Sequence, residues 1–368
     1  MKKICLATYV RSPNYGAALQ LYATYKALSE LGCDVTIMNY QNPFESDKLS
    51  LRYLFSHVGF KEKARQYISS YIFGVKQNAK RNFEPFYQKM KYSARIVSID
   101  EIGNLGDFDV FCVGSDQVWN PRITDGFDDV FILNSSIPRR KISYASSMGS
   151  CDIEGYPEEK FIESIKQFSS ISVREKIACD FLSEKIQKPI KQVVDPTFLL
   201  SSDDWNQVIN KINSKKVCNG KYVLVYALGG YFEKNRLLAN KVAKKIGAKV
   251  VAITLSNRPK KVDKIVNNAT PIDFVRIIRD ASFVVTNSFH GTCFSLIMGT
   301  PFYSVRFGDN PARAEELLAA YGLQERLFRE GDKIKPIHLK NNDLVAVQKK
   351  IDENARDAKE WLENAIYG

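Results

Sequence analysis

The chain has three histidines, and one of them, His290, lies in the polar run Asn287-Ser288-Phe289-His290-Gly291. Before it, Phe283 to Thr286 is β-branched and apolar. After it, Thr292 to Met298 is apolar and helix-compatible until Gly299-Thr300-Pro301 stops it. This spacing puts His290 and Gly291 where a strand hands over to a helix, a place where free backbone N–H groups favour an anion. An imidazole there can read a phosphate or give up a proton. Arg306 and Arg313, beyond the next strand, can add positive charge, and the Gly229-Gly230 turn after another strand can turn backbone N–H groups toward a phosphate. Packing accounts for that glycine pair equally well, and a lone histidine is more often structural.

Three further stretches carry chemistry. Gly114-Ser115-Asp116-Gln117-Val118-Trp119-Asn120 follows an apolar strand; Asp116 can accept a proton, Gln117 and Asn120 offer amides, and Trp119 offers a flat face that stacks on sugar rings. A helix cap with a core tryptophan is the bland alternative. Arg174, at the end of the strand Ser170 to Val173, can bind a carboxylate or phosphate through its fork or simply pair with Glu175. The loop Asn14-Tyr15-Gly16 joins the first strand to the first helix, where Gly16 can take a positive φ and Asn14 can cap the helix or bond a hydroxyl. A structural turn explains it as well as a binding loop, since the three-glycine dinucleotide fingerprint is absent.

These residues need strands that end side by side. Ile4 to Val10, Val35 to Met38, Asp109 to Val113, Lys141 to Ala145, Ser170 to Val173 and Lys191 to Val194 read as strands, with helices at Ala17 to Leu31 and Glu175 to Glu184. A polar segment, Ser201 to Lys221, reads as the crossing into a second series. There, Tyr222 to Ala227, Lys249 to Ile253, Phe283 to Thr286 and Phe302 to Val305 alternate with helices at Phe232 to Ile246, Pro271 to Arg279 and Thr292 to Met298. Such alternation implies parallel sheets covered on both faces, with ligands outside the carboxyl ends of the strands. The expected architecture is α/β: two doubly wound, Rossmann-like domains facing each other across a cleft. Domain 1–200 carries a helical insert at about 51–91, and domain 201–368 ends in a long helix, Asp343 to Ile366, that needs a surface and is expected to pack back on the first domain.

The length of 368 residues suits two such domains. Lys+Arg 53 against Asp+Glu 41 leaves a net charge of +12, a field that attracts anions. The lysines are scattered with no zinc-finger or RNA-binding signature, so nucleic acid is not expected. Seven cysteines without metal-ligand spacing read as buried thiols in a reducing compartment, with no metal site. No apolar run is long enough to span a bilayer, and Arg11 cuts the first one short. A cytoplasmic protein follows, and its basic helical insert, read first as a solvated face, is the surface for a peripheral contact with an anionic membrane or for a homo-oligomer.

In order along the chain, Asn14-Tyr15-Gly16-Ala17 with Leu19-Gln20, Gly114-Ser115-Asp116-Gln117-Val118-Trp119-Asn120, Ser172-Val173-Arg174-Glu175, Val194-Asp195-Pro196-Thr197 and Ser288-Phe289-His290-Gly291-Thr292 resemble the blocks of the polysaccharide pyruvyl transferases. The resemblance implies a GT-B-like fold and transfer of a carboxyethylidene group from phosphoenolpyruvate onto two hydroxyls of a sugar or lipid-linked oligosaccharide, with phosphate released and no cofactor. The chemistry of the residues themselves suggests an acceptor side in the first domain, at Asn14, Tyr15, Gly16, Gln117, Trp119 and Asn120, with Asp116 as candidate base. The resemblance marks Arg174 and His290 as donor-binding and catalytic groups, and the residues suggest a donor side in the second domain that adds Ser288, Gly291, Gly229, Gly230, Arg306 and Arg313. Several members carry Arg-Leu-His where this chain has Ser288-Phe289-His290, so a phosphate-binding arginine is missing at 288; either Arg306 or Arg313 covers its role or the donor is held differently. Two other readings remain open: a GT-B glycosyltransferase using a nucleotide sugar, and an inactive carbohydrate-binding relative.

Overall fold

The structure is a computed structural model that describes residues 1–43, 75–149, 151–212, 216–255, 261–306, 313–334 and 341–368, with backbone alone at 75–77 and 341–344. Two compact units emerge. Among the described residues, the first holds 1–43, Tyr87–Leu199 and Asn354–Gly368, and the second holds 75–86 and Leu200–Glu353.

The first unit is built on seven parallel strands, β1 (Lys3–Ala7), β2 (Asp34–Asn39), β3 (Tyr92–Arg95), β4 (Val110–Val113), β5 (Arg140–Ser146), β6 (Ser170–Val173) and β7 (Ile190–Gln192), in the order β3-β2-β1-β4-β5-β6-β7. Helices α1 (Tyr15–Glu30), α3 (Pro121–Thr124), α4 (Glu158–Lys166) and α5 (Lys176–Lys185) lie between the strands. Every residue of β4 is buried, as expected of a parallel strand covered on both faces. Chain order reverses between β1 and β4, which makes their carboxyl ends the topological switch point.

The second unit has six parallel strands, β8 (Tyr222–Tyr226), β9 (Lys249–Ile253), β10 (Lys264–Val266), β11 (Phe283–Thr286), β12 (Phe302–Arg306) and β13 (Leu327–Arg329), in the order β10-β9-β8-β11-β12-β13. The switch point falls between β8 and β11. Its helices are α2 (Val75–Tyr87), α6 (Ser202–Asn210), α7 (Phe232–Ile246), α8 (Pro271–Arg279), α9 (Phe289–Ile297), α10 (Arg313–Ala320) and the first half of α11 (Asn341–Tyr367). Helix α8 starts at a capping box in which Thr270 and Asp273 satisfy each other's N–H groups, with Pro271 at its first position.

Some expectations need correction. Ser201 to Lys221 is not a plain crossing, because Ser201 and Asp204 form a capping box for α6 and the helix buries Trp205 and Ile209, four residues apart. The helical insert at about 51–91 lies, up to position 74, outside the described residues; the part that follows, α2, groups with the second unit through residue 86. The last turns of α11 belong to the first unit, where the Tyr367 hydroxyl donates to Leu31 O at 3.0 Å and Arg140 donates to Ala365 O at 2.8 Å. Among the described residues, no helix is long and apolar enough to cross a membrane.

Candidate functional site

At the second unit's switch point, β11 ends at Thr286 and the chain turns directly into α9. The Ser288 hydroxyl caps the helix by accepting from Gly291 N at 3.3 Å, and Ser288 N donates to Thr286 Oγ1 at 3.0 Å. His290 therefore stands in the first turn of α9, earlier than the helix start expected at Thr292, and it is buried. Its ring meets the Phe289 ring edge-on at 5.3 Å, and the Arg313 guanidinium lies 5.7 Å over the same phenylalanine. Gly291 packs against β11 so closely that only glycine fits.

Asn287 ties this turn to the neighbouring strand's loop: its Oδ1 accepts from Leu228 N at 2.9 Å and its Nδ2 donates to Leu228 O at 3.0 Å. That clamp places the exposed Gly229-Gly230 pair, both with positive φ, beside the start of α9. Burial pushes the Tyr226 hydroxyl pKa up, partly offset by its hydrogen bond with Ser288. Ser288 is thus a buried cap whose hydroxyl is engaged by the helix and by Tyr226. Arg306 is also corrected: it pairs with Glu315, which accepts from Arg329 as well, at 2.6 Å. Of the two arginines expected to replace the one missing at 288, only Arg313 is placed against the His290 turn.

At the first unit's carboxyl edge, the switch point is locked by Thr8, whose hydroxyl donates to Ser115 O at 2.8 Å. Asp116 takes a left-handed backbone conformation, φ 71°, which an aspartate tolerates better than most residues. Its carbonyl accepts from Ser147 N at 3.0 Å and its Oδ1 from Gln117 N at 2.9 Å, leaving a half-buried carboxylate at the edge. Gln117 Oε1 accepts from Asn120 Nδ2 at 2.8 Å, and Asn120 Oδ1 caps α3. Both amides press on Gly149, which no sequence signal had singled out.

Trp119 offers no face to a sugar. It is wholly buried, its indole N–H donates to Phe131 O at 2.9 Å, and its ring packs edge-on against Phe161 and Phe168. Asn14 Oδ1 accepts from Gly16 N at 2.8 Å and from Ala17 N at 3.3 Å, which makes it the N-cap of α1. Gly16 lies inside that helix, so the positive φ expected of it is not used, and Tyr15 is buried beside it.

Arg174 is the largest departure. Its Nε donates to Glu175 Oε1 at 3.0 Å, Nη1 to Asp195 Oδ2 at 2.8 Å and Nη2 to Ser147 Oγ at 3.2 Å, with only 6% of the residue exposed. Burial by itself disfavours the charged guanidinium, but Glu175, Asp195 and Asp116 outweigh it and hold the pKa above the ordinary arginine value. Carboxylates outnumber cations in this cluster, so the guanidinium charge is compensated within it. Arg174 joins the ends of β5, β6 and β7. Among the described residues, no three of His, Cys, Asp and Glu gather as a metal site.

Comparison with solved structures supports this fold assignment. The UDP-GlcNAc 2-epimerase from Methanocaldococcus jannaschii is similar over 96% of this chain and 91% of its own, at a TM-score of 0.51 and 14% identity. The UDP-GlcNAc 2-epimerase from Neisseria meningitidis, bound to UDP-GlcNAc, matches over 99% and 97%, at 0.51 and 12%. An alpha-glucosyltransferase in complex with UDP matches over 100% and 95%, at 0.50 and 10%. At such identities the likeness shows the fold alone, a two-domain α/β fold of GT-B type. A search of curated proteins finds no relative. The family model described as Polysaccharide pyruvyl transferase matches residues 14–309, which takes in the turn of Asn14, the Asp116 loop, Arg174 and the His290 turn. The chain belongs to the polysaccharide pyruvyl transferase family.

Proposed function

We propose that this protein moves the carboxyethylidene group of phosphoenolpyruvate onto two hydroxyls of a sugar in a polysaccharide or its precursor, forming a pyruvate ketal and releasing phosphate. The observation that carries the reading is the position of His290, in the first turn of α9 at the β8–β11 switch point, beside the exposed Gly229-Gly230 loop. A helix N-terminus and a glycine loop suit a phosphate, and an imidazole there can deliver a proton.

In this reaction His290 protonates the methylene carbon of the enol, which becomes the methyl group, and C2 becomes electrophilic. One sugar hydroxyl adds to C2 and gives up its proton to a carboxylate, the role expected of Asp116. The C2–O bond to the phosphate breaks and the second hydroxyl closes the ketal. Of the two hydroxyl protons, one balances the new methyl C–H bond and the other leaves with phosphate. Arg174 takes no part as a ligand in this scheme.

The second reading, glycosyl transfer from a nucleotide sugar, is favoured by the UDP-bound relatives of the same fold. Thermal shift with phosphoenolpyruvate against UDP-sugars separates the two. A ligand at 100 times its dissociation constant adds about 2.7 kcal/mol of stability. Stabilisation by phosphoenolpyruvate, followed by acceptor-dependent phosphate release that His290→Ala abolishes, is the expected result. Stabilisation by a UDP-sugar alone replaces the reading with glycosyl transfer.

A further inference from the structure

The second unit contains a cation that no block of the family marks. Helix α2 comes from the chain between β2 and β3 of the first sheet, yet residues 75–86 group with the second unit. Two buried asparagines hold it there. Asn78 Nδ2 donates to Leu255 O at 3.0 Å and Asn82 Nδ2 donates to Asn267 O at 3.0 Å. Those carbonyls lie just past the carboxyl ends of β9 and β10, so α2 borders the same edge of the sheet as the His290 turn. Strand β9 pairs with β8 and β8 with β11, which puts the end of β9 about 10 Å from the end of β11 at ordinary strand spacing.

Because backbone carbonyls can only accept, each asparagine must present its Nδ2 to the sheet and its Oδ1 elsewhere. Both Oδ1 atoms turn to Arg81, which donates from Nη2 to Asn78 at 3.0 Å and from Nε to Asn82 at 3.4 Å. The partners are neutral, and among the described residues Arg81 has no carboxylate within ion-pair distance. Arg236, Arg276, Arg279, Arg306 and Arg329 of the same unit each meet one. Arg81 is thus an exposed guanidinium fixed by two amides; among the described residues no carboxylate offsets its charge, and its other N–H groups have the geometry to grip a planar or tetrahedral anion in two-point fashion.

We propose that Arg81 binds the phosphate of the donor at the carboxyl edge of the second unit, taking the place of the arginine absent at position 288. The proposal rests on the phosphoenolpyruvate reading for its ligand, but its anion chemistry is tested separately. Calorimetric titration of the intact protein with phosphoenolpyruvate, and separately with inorganic phosphate, is compared in wild type, Arg81→Gln and Arg81→Lys. A charge-assisted bidentate contact is worth enough that Arg81→Gln weakens both ligands by about tenfold or more. Arg81→Lys, which keeps the charge and loses the fork, recovers part of that loss. The double variant Asn78→Ala/Asn82→Ala removes both the amides that fix the arginine and the bonds that hold α2 to the sheet edge, and weakens binding as well. Equal affinity in wild type and Arg81→Gln overturns the proposal, and so does a wild-type protein that binds neither probe. Phosphate binding that depends on Arg81 without turnover of phosphoenolpyruvate keeps the site and sinks the donor reading.

Discussion

A Cβ added to Gly291 would stand 2.5 Å from Thr286 Oγ1 and 3.0 Å from its Cγ2. The glycine next to the histidine is therefore required by packing: α9 can start beside the end of β11 only if nothing projects from position 291. Gly291→Ala should cost about 1–3 kcal/mol through overpacking, lowering the melting temperature by several degrees. It should also displace the first turn of α9 and cut turnover. Thr286→Ala removes both of those close atoms, so the double variant should recover stability, with a coupling of about 0.5–3 kcal/mol. Strict additivity of the two substitutions in thermal melts counts against this account.

The buried Arg174 cluster predicts a stability effect in place of a ligand effect. Arg174→Met leaves Glu175 and Asp195 without their cation, and breaking a buried pair in this way costs about 3–5 kcal/mol. The expected result is a large fall in denaturation midpoint, with donor affinity close to wild type in whatever protein remains folded at low temperature. A selective loss of phosphoenolpyruvate binding in a protein of unchanged stability returns Arg174 to the donor site.

Alkaline pH should unfold the first sheet through its thiols. Burial first and Cys33 second push the Cys112 pKa up to about 12, and Cys5 is raised by burial and by Cys112. A thiol raised in the folded state keeps its proton while the unfolded chain releases one near pH 8.5, so the stabilisation is complete below that pH. It is lost as pH rises toward the folded value. Each such thiol contributes a slope of about 1.4 kcal/mol per pH unit between pH 9 and 11. Cys112→Ala should flatten the stability–pH curve by one such slope, measured by urea denaturation across that window. An unchanged slope would mean that the thiol is not protected.

Much of this architecture is legible in the sequence because parallel strands buried on both faces leave unbroken apolar runs such as Val110 to Val113 and Phe283 to Thr286. The residues that follow such runs stand at the carboxyl edge of their own sheet, which is why spacing puts Asp116 and Arg174 at the edge of the first sheet and His290 at that of the second. Partnership across long separations was not legible. Asp195 meets Arg174 from the end of another strand, and nothing local in Ser172-Val173-Arg174-Glu175 says that the guanidinium is spent on it. Trp119 departs from expectation for a related reason: its loop is polar, but the side chain turns inward to Phe131, Phe161 and Phe168. Short edge strands such as β10 and β13, three residues each, lack the length that makes a pattern visible. The membership of α2 in the second unit depends on two asparagines bonding to carbonyls far along the chain.

The Asp116 loop, proposed to meet the acceptor, has its own glycine, and a substitution there tests binding of the sugar apart from binding of the donor. Gly149 has φ 71°, and a Cβ on it would meet Asn120 Nδ2 at 2.5 Å and Gln117 Oε1 at 2.7 Å. Gly149→Ala therefore combines a left-handed backbone strain of about 1–2 kcal/mol with the loss of the Gln117–Asn120 hydrogen bond, about 1 kcal/mol. Displacing Asn120 also uncaps α3, since its Oδ1 accepts from Arg122 N at 3.1 Å. If Gln117 and Asn120 read the sugar, Gly149→Ala should raise KM for the acceptor while calorimetric affinity for phosphoenolpyruvate stays at the wild-type value, because no donor group lies in this loop. A variant that is merely less stable, with unaltered KM for the acceptor at a temperature where it is fully folded, removes the amide pair from the acceptor site and leaves Asp116 as the loop's one candidate for contact with the sugar.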